Sequence, residues 1–502
     1  MRLGQVKVLI LSGSGGQFGS DVRRERFKSL ILVVLFIISI LQVGIIWNNE
    51  DHSSPFYFVT KYLNIPQARP ERGTVDEADL GAGAKQILLN PFRITLCTGD
   101  EHYTVPRSSE EFNKIKETVF LLIEEVMGGR ALRKDIEQET WNSLVSRKSI
   151  LFEFDVPIPL DAVKWAIDYY NTSSDAPENV WKILVIPRES SGVGFYVLTS
   201  RGAIQFAPKS VSMSSLEKLY SETLTATDAN NLNTIEYSTI HEFGANSYPG
   251  FRGDVMGAIF GRKSTLFRNL KSSVLFFVRS AELANTVLGD DINSYSRSNE
   301  SGADMMIYKN FSNLYRFYSN GIMEYSYIPS VVVQDKGDVY SALTHALVFV
   351  QRIKNGLLDE PELYLSGISQ DEASWQFTFD YIFGDFPVFF YHELKMMDEV
   401  VIQENAVVIR ANDKRIISCK WALVDIYFGN DIKELNTAFD TIDVTNISRM
   451  SVDDISIVYY FDMTGDGRKQ SGGDINQAWP VWRIEDPEGG RLFIPLREAS
   501  KK

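Results

Sequence analysis

The run from Ser29 to Asn49 carries no charge, and it constrains this 502-residue chain more than any other feature. Its centre, Leu30-Ile31-Leu32-Val33-Val34-Leu35-Phe36-Ile37-Ile38, contains no turn former. At about 1.5 Å of rise per residue, roughly 20 apolar residues cross a bilayer core of about 30 Å. The spacing predicts a transmembrane helix over residues 29–47. Arg23, Arg24, Arg26 and Lys28 stand just before it, and Asn48, Asn49, Glu50 and Asp51 just after. Clustered cations stay on the cytoplasmic side, so residues 1–28 are expected as a basic cytoplasmic tail and the C-terminal bulk as extracytoplasmic. A cleaved signal peptide would need a shorter apolar core and a small-x-small exit; Gln42-Val43-Gly44-Ile45-Ile46-Trp47-Asn48 is bulky instead. A retained, single-pass anchor in the cell membrane is the expectation.

Charge sharpens that division. Residues 1–28 hold six Lys/Arg against Asp21 and Glu25, a balance of +4, and the whole chain carries -14, which leaves -18 for the rest. So acidic a body argues against a nucleic-acid or anionic-lipid surface. Its length calls for more than one domain. Cys97 and Cys419 are too few for a disulfide-stapled scaffold and read as two buried thiols, with a bridge between them left open. The start, Val6 to Leu11 followed by Ser12-Gly13-Ser14-Gly15-Gly16, lacks the Gly-Lys-Ser/Thr of a phosphate loop and places Phe18 where a dinucleotide loop needs glycine. It is a glycine-rich tail, and translation starting near Val22 would retain the basic flank.

Along the exported part, Pro66, Pro70, Gly73, Gly81 and Gly83 mark residues 48–85 as a juxtamembrane connector. A first domain is expected over 86–245, a second over 246–415 and a third over 416–502. Arg93 to Leu96 reads as a strand. Ser108 and Glu111 match a capping box, opening a helix with Phe112, Ile115, Val119, Leu122, Ile123 and Val126 on one stripe and a glycine cap at Gly128-Gly129. Strands are expected at Leu151–Phe154, Ile183–Ile186 and Gly194–Leu198, and a helix from Ser214. A second amphipathic helix spans Val339 to Asn355, ending at Gly356. Further strands are Trp375–Ile382, Pro387–Tyr391, Glu399–Arg410, Ala422–Phe428, Ser456–Phe461, Val481–Ile484 and Arg491–Leu496, the last two joined by the turn at 485–490. The fold class is α+β, with antiparallel sheets.

Catalytic patterns fail one after another. His241-Glu242 meets Ala245, and His392-Glu393 meets Met396, where a zinc peptidase needs a second histidine. Ser215-Leu216-Glu217-Lys218 has the Ser-x-x-Lys of penicillin-binding proteins, but no Lys-Thr-Gly accompanies it, so a serine near a helix start with a solvated lysine is expected. Asp462 to Gly467 has oxygens at calcium-loop spacing, yet the twelfth position is Gly473, so a polar turn is expected. No catalytic, metal or cofactor residue is assigned. The membrane segment itself holds the sharpest candidate. Ser39 and Gln42 lie three apart on nearly one helix face and Gly44 admits a close backbone, a combination suited to helix–helix contact.

The layout resembles the YycH family, regulators of the YycG (WalK) sensor kinase in low-GC Gram-positive bacteria. The resemblance runs through Lys28–Leu35, Asn90-Pro91-Phe92-Arg93-Ile94, Leu288–Ile292, the stretch from Tyr308 to Tyr325, Gly384-Asp385-Phe386-Pro387-Val388 and Trp479-Pro480-Val481-Trp482-Arg483-Ile484. It implies three exported domains, the later two YycI-like. It also implies partnership in the membrane with a sensor histidine kinase and a YycI-like protein, and control of cell-wall metabolism. It brings no catalytic residues and no cofactor. The expected function is a non-enzymatic regulator of a two-component system, with homodimerisation left open. The alternatives are an exported cell-wall enzyme, or an anchored peptide- or polysaccharide-binding module using aromatics such as Tyr325, Tyr327, Phe389 and Tyr391.

Overall fold

Alternation along the early strands builds a sheet covered on both faces. The computed structural model describes residues from Glu77 to Glu498, apart from 170–177, 230–235, 240–255, 258–263, 275–283, 301–304, 329–335, 355–361, 437–453, 463–475 and shorter turns. Strand Arg93–Cys97 pairs antiparallel with Ser149–Pro159, which pairs with Asn179–Glu189, and Gly192–Thr199, Gly202–Ala207 and Leu132–Ile136 follow in turn. The described α-helices are α1 (Glu77–Leu88), α2 (Glu110–Met127), α3 (Gln138–Val145), α4 (Leu160–Ala166), α5 (Met213–Ala229) and α6 (Val339–Lys354), and Ile94, Ile150, Phe152, Ile183, Val185 and Val197 join one core with α2 and α5. Cys97, Leu151, Leu184 and Tyr196 meet Trp141 and Leu144 of α3 on the other side. Both sets of alternate residues are therefore apolar, because each fully buried side chain stabilises by about 1.5–3 kcal/mol.

A second set of antiparallel strands starts as a meander. Ser296–Glu300, Met305–Lys309, Asn313–Tyr318 and Ile322–Tyr327 pair in order, and the last pairs with Ile416–Ala422. Val407–Ala411, Trp375–Phe383 and Glu362–Gln370 extend it. Helix α6 lies against these strands, with Ala342, Leu343, Ala346, Leu347, Val350 and Ile353 buried. Gly384 turns Trp375–Phe383 into Phe386–Met396 with φ of +62°, a left-handed geometry that suits glycine. Phe386–Met396 runs parallel to Asp454–Asp462, which pairs with Pro480–Glu485 and then Arg491–Pro495. A smaller sheet joins Ser264–Val274 to Val424–Asn436, Asn476–Ala478 and Arg497–Glu498.

Much of the expected structure is present, with instructive shifts. The stripe read from Phe112 to Val126 is buried as expected, but Ser109, one residue later than Ser108, caps α2 by accepting the Phe112 N–H at 3.2 Å. Gly128 ends α2 with φ of -69°, a right-handed rather than left-handed stop. The single strand expected over Glu399–Arg410 is two, Glu399–Gln403 and Val407–Ala411. Buried Asp380 explains the break: its carboxylate accepts the Ala406 backbone N–H at 2.9 Å and the Asn405 amide at 2.8 Å, pulling that backbone out of the ladder. The connector expected over 48–85 contains the first residues of α1, which packs against α4, α6 and the strand Glu362–Gln370. Gly83 makes that approach possible, since a Cβ there would stand 2.3 Å from the buried Gln351 side chain of α6. Among the described residues, no helix is long and apolar enough to cross a membrane. Residues 1–76, including the tail and the membrane segment, lie outside those described.

Candidate functional site

Where the first sheet, the Glu362–Phe383 hairpin and the closing hairpin meet, the interior is charged. Arg93 and Glu153 face each other across paired strands, with Nε donating to Oε2 and Nη2 to Oε1 at 3.3 Å. Lys182 on the next strand adds a second cation 3.0 Å from Glu153. Further along, Arg483 is fully buried and reaches Asp155 at 3.3 Å and Glu485 at 3.1 Å. Arg491 stands 3.5 Å from Glu485 and 4.0 Å from Asp380. The guanidinium of Arg483 lies 5.0 Å from the Phe92 ring and 5.4 Å from that of Phe389. Four cations thus meet four carboxylates, which is how buried charges are tolerated at all. Burial pushes the Asp380 carboxyl above its ordinary range, although Arg491 and its hydrogen bonds oppose this. The wholly buried Tyr364 phenol is driven well above its usual value by burial, then by Asp155 and Asp380.

Two cavities adjoin this junction. One of ≈ 20 Å³ is lined by Phe92, Arg93, Phe386, Pro387, Ser456 and Ile457 among others. That is room for about one water. The other, open to solvent, has a volume of ≈ 280 Å³ and lies between the end of α1, the start of α2, the end of α6 and the strand beginning at Glu362. Arg107 lines both. Its guanidinium donates to Asn90 Oδ1 at 2.7 Å, to the Pro91 carbonyl and to the Phe92 carbonyl at 3.1 Å, and it stands 3.5 Å from Glu362. Asn90 in turn donates to the Leu363 carbonyl at 3.1 Å.

The residues singled out from sequence fare differently. Arg23, Arg24, Arg26, Lys28, Ser39, Gln42 and Gly44 all fall outside the described residues, as do His241, Glu242 and the Asp462–Gly473 turn beyond Asp462. His392-Glu393 sits on a strand, not the helix a zinc peptidase requires. Ser215 Oγ hydrogen-bonds Ser212 Oγ at 2.7 Å, while exposed Lys218 is 3.7 Å from Glu222, the arrangement of a helix start with a solvated lysine. Cys97 and Cys419 are both buried and no disulfide joins them, and burial pushes the Cys419 thiol far up. Tyr325 and Phe389 are core residues, and Tyr327 lies under the Arg415 guanidinium at 4.4 Å. The described residues contain no cluster of metal-ligating side chains. The charged junction was not anticipated, because its members are far apart in sequence: Asp155 and Arg483 are separated by 328 positions.

No family model matches the sequence, and no curated protein matches it. Among solved structures, YycH from Bacillus subtilis superposes with a TM-score of 0.53 at 12% identity, covering 82% of this chain and 97% of that one. The fold is YycH-like. An uncharacterized protein from Eubacterium rectale aligns at a TM-score of 0.29, with 12% identity over 50% of this chain and 91% of its own. Segments from which a YycH-like layout was expected come together at the junction. Phe92 and Arg93 of the first share the small cavity with Phe386 and Pro387 of another, and Arg483 of the closing segment lies over Phe92.

Proposed function

We propose that this chain is a non-catalytic, membrane-anchored regulator of a sensor histidine kinase, working in the manner of YycH on a two-component system that governs cell-wall metabolism. The single observation that supports this reading most is the fold likeness to YycH over 82% of the chain. Residues 29–47 anchor it, the cationic flank at Arg23, Arg24, Arg26 and Lys28 holds the start in the cytoplasm, and the body lies outside. Ser39, Gln42 and Gly44 meet kinase or YycI-like membrane helices. The exported part biases the complex only if it interacts differently with its two signalling states, since equal affinity shifts nothing.

Topology is tested by protease shaving of intact cells with tags at each end. The C-terminal tag is expected to be lost and the N-terminal tag kept; survival of the C-terminal tag in intact cells would overturn the proposal.

A further inference from the structure

We infer that the ≈ 280 Å³ pocket bounded by α1, α2 and α6 binds a small polar oxyanion, a phosphate or carboxylate carried on a hydroxyl- or amide-bearing body. Among the described residues, Arg107, Lys116 and Lys354 line it with one carboxylate, Glu362; Arg107 and Lys354 have partners of their own, so the cation open to a ligand is Lys116. The described lining is cationic on balance, opposite in sign to the chain's net charge of -14, and it is concave. Arg107 is held rigidly by the Asn90 side chain and two backbone carbonyls, and Glu362 answers its charge from 3.5 Å. Lys116 is different. It is half-buried, and among the described residues its amine has neither an ion-pair nor a hydrogen-bond partner. Burial first, then the neighbouring Arg107, lowers its proton affinity below the ordinary lysine range, and Glu362 and Glu117 offset only part of this. A partly desolvated cation in a cavity is stabilised by an arriving anion, and charge-assisted hydrogen bonds are the stronger kind.

The size and the remaining wall narrow the ligand. The volume corresponds to about nine waters at roughly 30 Å³ each, more than a bare oxyanion fills and at the small end of ligand pockets. The amides of Gln86, Asn90 and Asn113 line it and can exchange hydrogen bonds with hydroxyl or amide groups. A monosaccharide bearing one acidic group has this size and chemistry. The inference stands apart from the kinase reading, because binding here is required by neither the anchor nor the partner.

Titration calorimetry of the purified full chain with glucose 1-phosphate, glucuronate and glucose tests it. Saturable binding of either anion with none of glucose is expected. Binding of the phosphate alone or of the carboxylate alone supports the proposal and names the acid. Lys116→Met is expected to weaken binding by about tenfold or more, the scale of a lost charge-assisted hydrogen bond, and Lys116→Arg to retain most of it. Lys114→Met, which removes an exposed lysine paired with Glu110 outside the pocket, is expected to leave binding unchanged. Circular dichroism establishes that each variant is folded. Failure of both anions to bind, equal binding of glucose, or binding by folded Lys116→Met as tight as by the parent would overturn the proposal.

Discussion

Arg483 and Asp380 are the side chains whose replacement says most about the junction. Arg483→Met removes the cation that both Asp155 and Glu485 reach, leaving Asp155 without that partner while Arg491 still stands 3.5 Å from Glu485. Breaking a buried pair from one side costs about 3–5 kcal/mol, so a large drop in Tm is expected, readable by thermal denaturation of the full chain. Asp380 gives a pH signature. Its folded carboxyl binds its proton more tightly than in the unfolded chain, so it favours folding most at low pH, below the ordinary aspartate value of 3.8. That contribution is lost as pH rises through the raised folded value. Denaturation midpoints compared with Asp380→Asn are therefore expected to show the parent doing relatively better in acid, with its advantage shrinking as pH rises and then levelling off. A difference that grows with pH would contradict the assignment. None of these roles was legible in the sequence. A carboxylate inside an apolar strand such as Trp375–Phe383 announces a partner but not which one.

At the level of elements, what could be read locally was read. Helix α2 declares itself through a 3.6-residue stripe and a serine start, and α6 through the same periodicity. Their boundaries drifted where tertiary contacts decide: Ser109 rather than its neighbour caps α2, and Asp380 breaks one long strand into two. Helix α1 escaped because its sequence, Glu77 to Leu88, is rich in glycine and alanine, which look like a linker. It is held by packing at Gly83, not by propensity. One cap yields a direct prediction. Asp338 precedes α6 and accepts the Ser341 backbone N–H at 2.8 Å; burial alone would raise its carboxyl, but the Ser341 hydrogen bonds outweigh this and lower it. Asp338→Ala is expected to cost about 1 kcal/mol, measured by denaturant unfolding. A folded pKa below the unfolded one adds stability above the unfolded value, so the penalty is expected to fade as pH falls through the folded value.

For the whole molecule, the sequence divides cleanly into an apolar segment with a cationic flank and an acidic body, and the described body has a YycH-like fold. Antiparallel α+β construction was legible from alternation and turns. The joining of the first sheet to the later strands was not, because it rests on α1 and on charges brought together over long separations. The kinase reading is tested most directly by co-purification from detergent-solubilised membranes, using the tagged chain and its Gln42→Leu variant in parallel. A sensor histidine kinase is expected with the parent chain, and several-fold less of it with the variant. Recovery of no kinase with the parent chain would contradict that reading.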